Sequence, residues 1–508
     1  MDVKIRIEQL LDYAQKKLNF LEDDVMLARN YLLDLLKLDS PYEGEISPSP
    51  IQEILDDMTA YAVENKLCEP YERLLFETRI MGIVTPTPSR VIETFDDIAA
   101  QSGIKASTDW FFNLCINSNY IRKVDIDKNL KWEFDGKLGK IKITINLSKP
   151  EKDPEEVKRA KLCNSGYPKC MLCPSNVGWA GNASKPARQT LRTIPIELNG
   201  ENWFMQYSPY VYFDNHAIAF SEEHRPMHID GNSFKRMVDF VKLFPHYFIG
   251  SNAALPIVGG SILAHDHYQG GNKVLPMLKA KARKYYKLEG YPEVNVSILD
   301  WYNSVVRIES KNDKDAVKVA DLILSKWKEY SDESVDVIAF SEENGEKVEH
   351  NTVTPTLQIN DNGEYSFALI LRNNRTTKER PFGLFHPSED LHNIKKESIG
   401  IIEAMGLFIL PGRLSGEINA IQDILTGKEK LDFKELSNEN NPLSKHLPMI
   451  AQLVQDNGTS LTADKAQDVV VEAVNTACEK ILETTGVFKN DEKGQAAFDK
   501  FLKSCGLN

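Results

Sequence analysis

The sequence predicts an α+β fold in which helical segments flank a central mixture of strands and helices. Three observations predict it. Apolar residues recur at helical spacing toward both ends. They alternate with polar residues through the middle. Asp-Gly and Asn-Gly turns punctuate the alternating runs. The length, 508 residues, is a prior of about three domains.

Near the N-terminus, Val25, Ala28, Leu32, Leu35 and Leu36 fall on one helical stripe, with Asp24 placed as its N-cap. Weaker patterns of the same kind run to Tyr120, and no polar cluster interrupts them. Residues 1–130 therefore read as a helical packing region. Asp135-Gly136 then marks a turn, and Ile141, Ile143, Ile145 and Leu147 alternate after it, a hairpin signal. Residues 149–161 are charged and carry two prolines, so they read as a linker or an exposed helix start. Ile194, Ile196 and Leu198 alternate up to Asn199-Gly200, and Trp203, Met205 and Tyr207 alternate beyond it. Asn-Gly suits a type I′ hairpin turn. Val211–Phe220 reads as a further strand. Ser233 can cap a helix carrying Phe234, Met237, Val238, Val241 and Phe244, stopped near Pro245. Gly259-Gly260-Ser261 leads into a strand over Ile262–Gln269.

The second part of the middle repeats this mixture. Val305–Ile308 and Phe367–Arg372 are strand candidates, and Asp315–Tyr330 and Lys395–Phe408 are helix candidates. The order of elements is similar, without a clean internal sequence repeat. Beyond residue 425 the pattern is helical again. Thr462 precedes Val470, Ala473, Val474, Ala477, Cys478 and Ile481, ending at Gly486, with Cys478 as a small buried hydrophobe. The expected boundaries are 1–130, 131–275, 276–425 and 426–508.

Composition narrows the function. The formal net charge is −13, from 61 basic and 74 acidic residues. That disfavours a nucleic-acid or anionic-membrane binder, and leaves room for a small anionic substrate held by a few local donors. Seven cysteines in so long a chain do not suggest a disulfide framework. The opening MDVKIRIEQLLDYAQKK lacks the apolar core of a signal peptide, and the greasiest stretch, Ile399–Pro411, is short and carries Glu403. The expectation is a cytoplasmic protein with reduced thiols.

Two motifs carry chemistry. Cys170-Met171-Leu172-Cys173 is a CxxC, whose spacing lets two thiolates reach one ion; a redox pair and accidental spacing are the alternatives. In His265-Asp266-His267-Tyr268-Gln269, an extended backbone would put His265, His267 and Gln269 on one face, roughly 7 Å apart. Three nitrogen-bearing side chains directly after Ile262-Leu263-Ala264 break ordinary core patterning, as functional sites do; an exposed polar strand end is the plain alternative. Gly259-Gly260 would let the backbone approach a ligand closely.

The second motif resembles the HxHxQ signature of the galactose-1-phosphate uridylyltransferases, a branch of the histidine-triad superfamily, and the chain is most similar to their second class. The similarity extends through Pro186-Ala187-Arg188, Ile194–Glu201, Gln206–Tyr210, Phe220–Met227, Leu371–Arg375, Phe385-His386-Pro387 and Gly406–Leu414. The resemblance implies two histidine-triad-like halves with antiparallel sheets, residues 131–275 carrying the chemistry and 276–425 degenerate. It implies transfer of UMP from UDP-glucose to galactose 1-phosphate, with glucose 1-phosphate released. It implies His267 as the nucleophile and Gln269 as a hydrogen-bond partner of the transferring phosphoryl group. The metal ligands of the first class have counterparts in Cys170, Cys173, His224 and His265, a set suited to a structural zinc. No organic cofactor is implied, and a homodimer is implied by analogy. Asn252, Gly260 and Ser261 lie near the glycine-rich stretch where substrate contacts are expected.

The chemistry explains the residue types. Neutral imidazole is nucleophilic near pH 7, and a uridylyl-histidine splits the transfer into two displacements with ping-pong kinetics. Arg188, Arg372, Arg375 and Arg413 suit phosphate oxygens, or serve in structural ion pairs. His386 and His392 read as second-site ligands or structural hydrogen-bonding groups. Glu403, in an apolar segment, needs a partner, a sugar hydroxyl being one. Lys395-Lys396 reads as a solvated face. Two other readings stand beside the transferase: another nucleotidyl transferase or sugar-nucleotide phosphorylase of the superfamily, and a catalytically silent, metal-stabilised nucleotide-binding protein.

Overall fold

A computed structural model of the chain describes residues 2–148, 166–260, 262–343 and 345–508. The linker expected at 149–161, Cys163 and Ser261 lie outside the described residues. The fold is α+β, with helices at both ends of the chain, and divides into two units: Met1–Lys128 with Glu151–Arg225, and Asn129–Pro150 with Pro226–Asn508.

In the first unit, helices span Val3–Lys17, Glu22–Leu35, Ile51–Glu64, Arg73–Val84, Pro88–Ser102 and Ile104–Asn117. The expected stripe of Val25, Ala28, Leu32, Leu35 and Leu36 is buried. Asp24 sits within the first turn of its helix, with Leu21 at the N-cap position; there its charge favours the helix dipole instead of capping it. The strands Ile194–Leu198 and Glu201–Tyr207 form the expected hairpin, Leu198 opposite Glu201, with Asn199 at φ 54 and Gly200 at φ 73 as a type I′ turn requires. Ala217–Ser221 pairs with the second of these strands. It starts later than the expected Val211, because residues 208–216 turn, Ser208 N donating to His216 O. Tyr207 joins helix and sheet: its ring lies 5.3 Å from Phe111, and its hydroxyl donates to Thr108 O at 2.9 Å.

The second unit holds two main sheets. Leu130–Gly136 and Gly139–Asn146 make the expected hairpin, with Ile141, Ile143 and Ile145 buried, and Leu407–Pro411 adds in parallel to its second strand. The other sheet runs, in spatial order, His267–Asn272, Tyr247–Gly250, Asn351–Ile359, Tyr365–Asn373, Val305–Ser310, Asn295–Leu299 and Ala282–Tyr286, every neighbouring pair antiparallel. Helices Gly231–Leu243 and Asp313–Glu329 pack on these strands and on each other. Phe234 meets Phe367 edge-on at 5.5 Å, and the fully buried Trp327 donates Nε1–H to Thr352 O at 2.9 Å.

Three further elements differ from expectation. The helix expected to start at Ser233 starts at Gly231, because Asp230 caps it: Asp230 Oδ1 accepts from Asn232 N and Ser233 N, and Ser233 Oγ accepts from Asp230 N. The helix expected over Lys395–Phe408 is a single turn, Ile401–Ala404. Gly406, at φ +93, ends it and turns the chain into strand Leu407–Pro411. The strand expected over Ile262–Gln269 starts only at His267, since Leu263-Ala264 form a turn and His265 a bend.

Near the C-terminus, the Thr462 hydroxyl accepts from Lys465 N to cap helix Ala463–Thr485, in which Cys478 is fully buried as expected. That helix holds the small sheet's hairpin through Trp132 Nε1 to Asn475 Oδ1 at 2.8 Å and Lys137 N to Glu479 Oε1 at 2.6 Å. Among the described residues, no helix is long and apolar enough to cross a membrane.

Candidate functional site

The CxxC folds as a tight knuckle. Cys173 N donates to Cys170 O at 3.4 Å, and the buried Asn176 amide donates to both cysteine carbonyls at 2.8 Å. The two sulfurs are 3.5 Å apart, and Cys173 Sγ lies 3.2 Å from His224 Nδ1. His224 follows the end of strand Ala217–Ser221, where Ser221 Oγ bonds Glu223 O at 2.7 Å and Arg225 pairs with Glu201. Burial pushes the Cys170 thiol up to about 11, so without a cation it stays protonated; metal binding reverses that. Cys170, Cys173 and His224, all in the first unit, each offer one ligand atom, and those atoms lie within 4.8 Å of one another. Two thiolates and an imidazole at that spacing can hold a metal ion, with one place of a tetrahedral shell left for a further ligand. Asn176, which orders the knuckle, was not singled out from sequence; its position three residues after Cys173 was the available signal.

His267 opens its strand and is buried. Its Nδ1 is 2.8 Å from the His265 carbonyl oxygen. A carbonyl can only accept, so Nδ1 carries the proton and Nε2 keeps its lone pair. Burial pushes the imidazole down to about 4, against the opposing effect of that hydrogen bond, so the ring is neutral near pH 7. Gln269 follows two residues on, half-buried, with its Cα opposite Gly250. His267 and Gln269 share a strand face, as the two-residue period requires.

The glycine-rich stretch folds back on residues 252 and 253. A Cβ at Gly260 would stand 2.6 Å from Asn252 Nδ2, and one at Gly259 2.1 Å from Ala253 O, so neither position tolerates a side chain. Asn252 Oδ1 accepts from Ile401 N at 2.9 Å, so one end of that amide is structural. Arg372 is fully buried. Its Nη2 donates to Ile399 O at 2.9 Å, while Nη1 is buried with no hydrogen-bond partner among the described residues. Burial lowers its pKa to about 10, leaving it cationic. Arg188, in the first unit, is half-buried, with its guanidinium 5.7 Å from the centre of the Tyr120 ring.

Other expected residues have structural partners. Arg375 donates to Asp336 O at 2.9 Å, and Arg413 pairs with Glu417 at 2.7 Å. His386 Nδ1 and His392 Nε2 both donate to Pro387 O. Lys395 is not on a solvated face: it is buried, and its Nζ pairs with Glu403 Oε1 at 3.1 Å, which supplies the partner that Glu403 needs. Two charges eight residues apart across an unforeseen turn gave no periodic signal.

Comparison with known proteins bears on this geometry. A family model described as the N-terminal domain of galactose-1-phosphate uridyl transferase matches residues 19–226, and one described as its C-terminal domain matches residues 240–437. A galactose-1-phosphate uridylyltransferase of Caldanaerobacter subterraneus subsp. tengcongensis is 49% identical, with 100% of this chain and 98% of that protein covered. One from Fusobacterium nucleatum is 45% identical, covering 100% and 99%, and one from Bacillus subtilis 38%, covering 100% and 98%. Among solved structures, yeast Ap4A phosphorylase Apa2 aligns over 65% of this chain and 85% of its own at 9% identity and a TM-score of 0.29, too slight a likeness to carry an argument.

Proposed function

We propose that this chain, which belongs to the galactose-1-phosphate uridylyltransferase family, carries UMP on His267 between its two sugar phosphates. The chain is a nucleotidyltransferase, and its reaction moves UMP from UDP-glucose to galactose 1-phosphate, giving UDP-galactose and glucose 1-phosphate. The observation that carries the covalent reading is the neutral, buried imidazole whose Nδ1–H is held by the His265 carbonyl. In the first displacement, the Nε2 lone pair attacks the α-phosphorus of UDP-glucose. The bond to the bridging oxygen breaks, and glucose 1-phosphate leaves with its electron pair. In the second, a phosphate oxygen of galactose 1-phosphate attacks the uridylyl phosphorus, and Nε2 departs with its lone pair restored. Gln269 donates to a non-bridging oxygen as charge builds there.

Arg372, with its unpartnered buried N–H, is a proposed phosphate contact, as is Arg188; Asn252, Gly260 and Ser261 are proposed contacts of the nucleotide sugar. Cys170, Cys173 and His224, with His265 as the proposed fourth ligand, suit zinc. A tetrahedron with Zn–S near 2.3 Å has edges of about 3.8 Å between sulfurs and about 3.5 Å from sulfur to nitrogen, against 3.5 Å and 3.2 Å observed. Four protein ligands close the coordination shell, so zinc there supplies structure. This reading also takes residues 131–275 and 276–425 as the two histidine-triad-like halves, the cytoplasm as the compartment and a homodimer as the assembly.

Isotope exchange tests the mechanism. With galactose 1-phosphate left out, labelled glucose 1-phosphate should enter UDP-glucose, because the uridylyl-enzyme forms without the second sugar. Transfer to galactose 1-phosphate without that exchange refutes the covalent intermediate.

A further inference from the structure

We propose that Arg236, acting through Asp266, is a positioning residue that fixes the aim of His267; this rests on the reading of His267 as the nucleophile. Asp266 lies between His265 and His267 and is 3% exposed; Arg236, on helix Gly231–Leu243, is 8% exposed. Arg236 Nη1 lies 3.8 Å from Asp266 Oδ2. Alternation along the strand puts Tyr268 on the side opposite His267 and Gln269. Tyr268 is buried as well. The residue that precedes the reactive strand is therefore held by a charged side chain in a buried setting.

Such a pair is a poor way to gain stability alone. Burying it costs desolvation at both ends, and apolar side chains of equal volume stabilise as well or better. What it supplies is direction. Holding the Asp266 carboxylate fixes the peptide on either side, including the His265 carbonyl. That carbonyl accepts the His267 Nδ1–H and so orients Nε2. A displacement of about 1 Å at a reacting atom can cost on the order of a hundredfold in rate.

The test measures single-turnover uridylylation by UDP-glucose labelled in the uridine, with melting temperature followed alongside. Arg236→Met should slow the step about 10–100-fold at saturating UDP-glucose, with the apparent affinity for UDP-glucose changed by less than about twofold. Arg236→Lys should recover most of the rate. Asp266→Asn should match Arg236→Met, and the double variant should be no slower than either single, because the two act as one unit. Should Met at 236 fail to fold, Asp266→Asn and Arg236→Lys carry the comparison. Folded Arg236→Met at the parental rate overturns the proposal, as do additive losses or a loss matching the unfolded fraction. An unlabelled parental enzyme refutes the His267 reading itself, and the proposal with it; a labelled one with unaffected variants refutes the positioning role alone.

Discussion

The protonation state of His267 can be tested by lowering the pH. Burial holds its pKa near 4, whereas an ordinary imidazole titrates at 6.5. At pH 5 a group with pKa 4 is about 90% neutral and one with pKa 6.5 about 3% neutral, a roughly 30-fold difference in competent nucleophile. Stability follows the same shift. The folded pKa lies below the unfolded one, so this group costs nothing above pH 6.5. Between 6.5 and 4 the unfolded chain takes up the proton first, and the loss reaches on the order of 3 kcal/mol below pH 4. The measurement therefore jumps the enzyme from pH 7 into buffers between pH 4.5 and 7. Uridylylation by labelled UDP-glucose is quenched within one turnover, before unfolding. The expected rate is nearly flat down to pH 5. A decline with a midpoint near 6.5 would show a solvated imidazole and refute the argument from burial.

Three further expectations concern single side chains. Cys173→Ser removes one of the proposed zinc ligands. Bound zinc, measured by atomic emission, should fall from about one per chain to less than half, with a melting temperature lower by several degrees; retention of stoichiometric zinc contradicts the ligand set. Gln269→Ala should lower kcat about a hundredfold with an unchanged circular dichroism spectrum, and an unaltered kcat would remove the residue from the chemistry. Glu417 is buried, which opposes its charge, yet His446, Lys445 and Arg413 overcome that and hold it down to about 2. Its folded pKa lies below its ordinary 4.5, so its stabilisation is present above pH 4.5 and is lost as pH falls toward 2. Glu417→Gln should cost on the order of 3 kcal/mol in urea unfolding at pH 7 and little at pH 2, and equal losses at both pH values would contradict the network.

Local chemistry made much of the fold legible. Asn199-Gly200 specifies its turn directly, and the hairpin register follows from it. Thr462 caps its helix because its hydroxyl needs only a neighbouring backbone N–H. Where sequence misled, a contact that periodicity does not encode decided. Gly406 abuts Trp301, at 3.0 Å from where its Cβ would stand, and the chain turns there instead of continuing a helix. Asp230 outcompetes Ser233 as a cap by accepting from two backbone N–H groups at once. Around the candidate site, the CxxC and HxHxQ types were visible because they break core patterning. Asn176, the Lys395–Glu403 pair and the orphaned Nη1 of Arg372 were not, since their significance lies in burial and in partners supplied by tertiary folding.

The proposed mechanism turns on covalent carriage of UMP by Nε2 of His267. The direct measurement is to mix the enzyme with UDP-glucose labelled in the uridine, quench under alkaline conditions that preserve a phosphoramidate, digest, and map the label by mass spectrometry. About one UMP per chain is expected on the peptide carrying His267, discharged by galactose 1-phosphate and absent from a folded His267→Ala variant. Label on another residue, or active turnover with no label at any time, would contradict it.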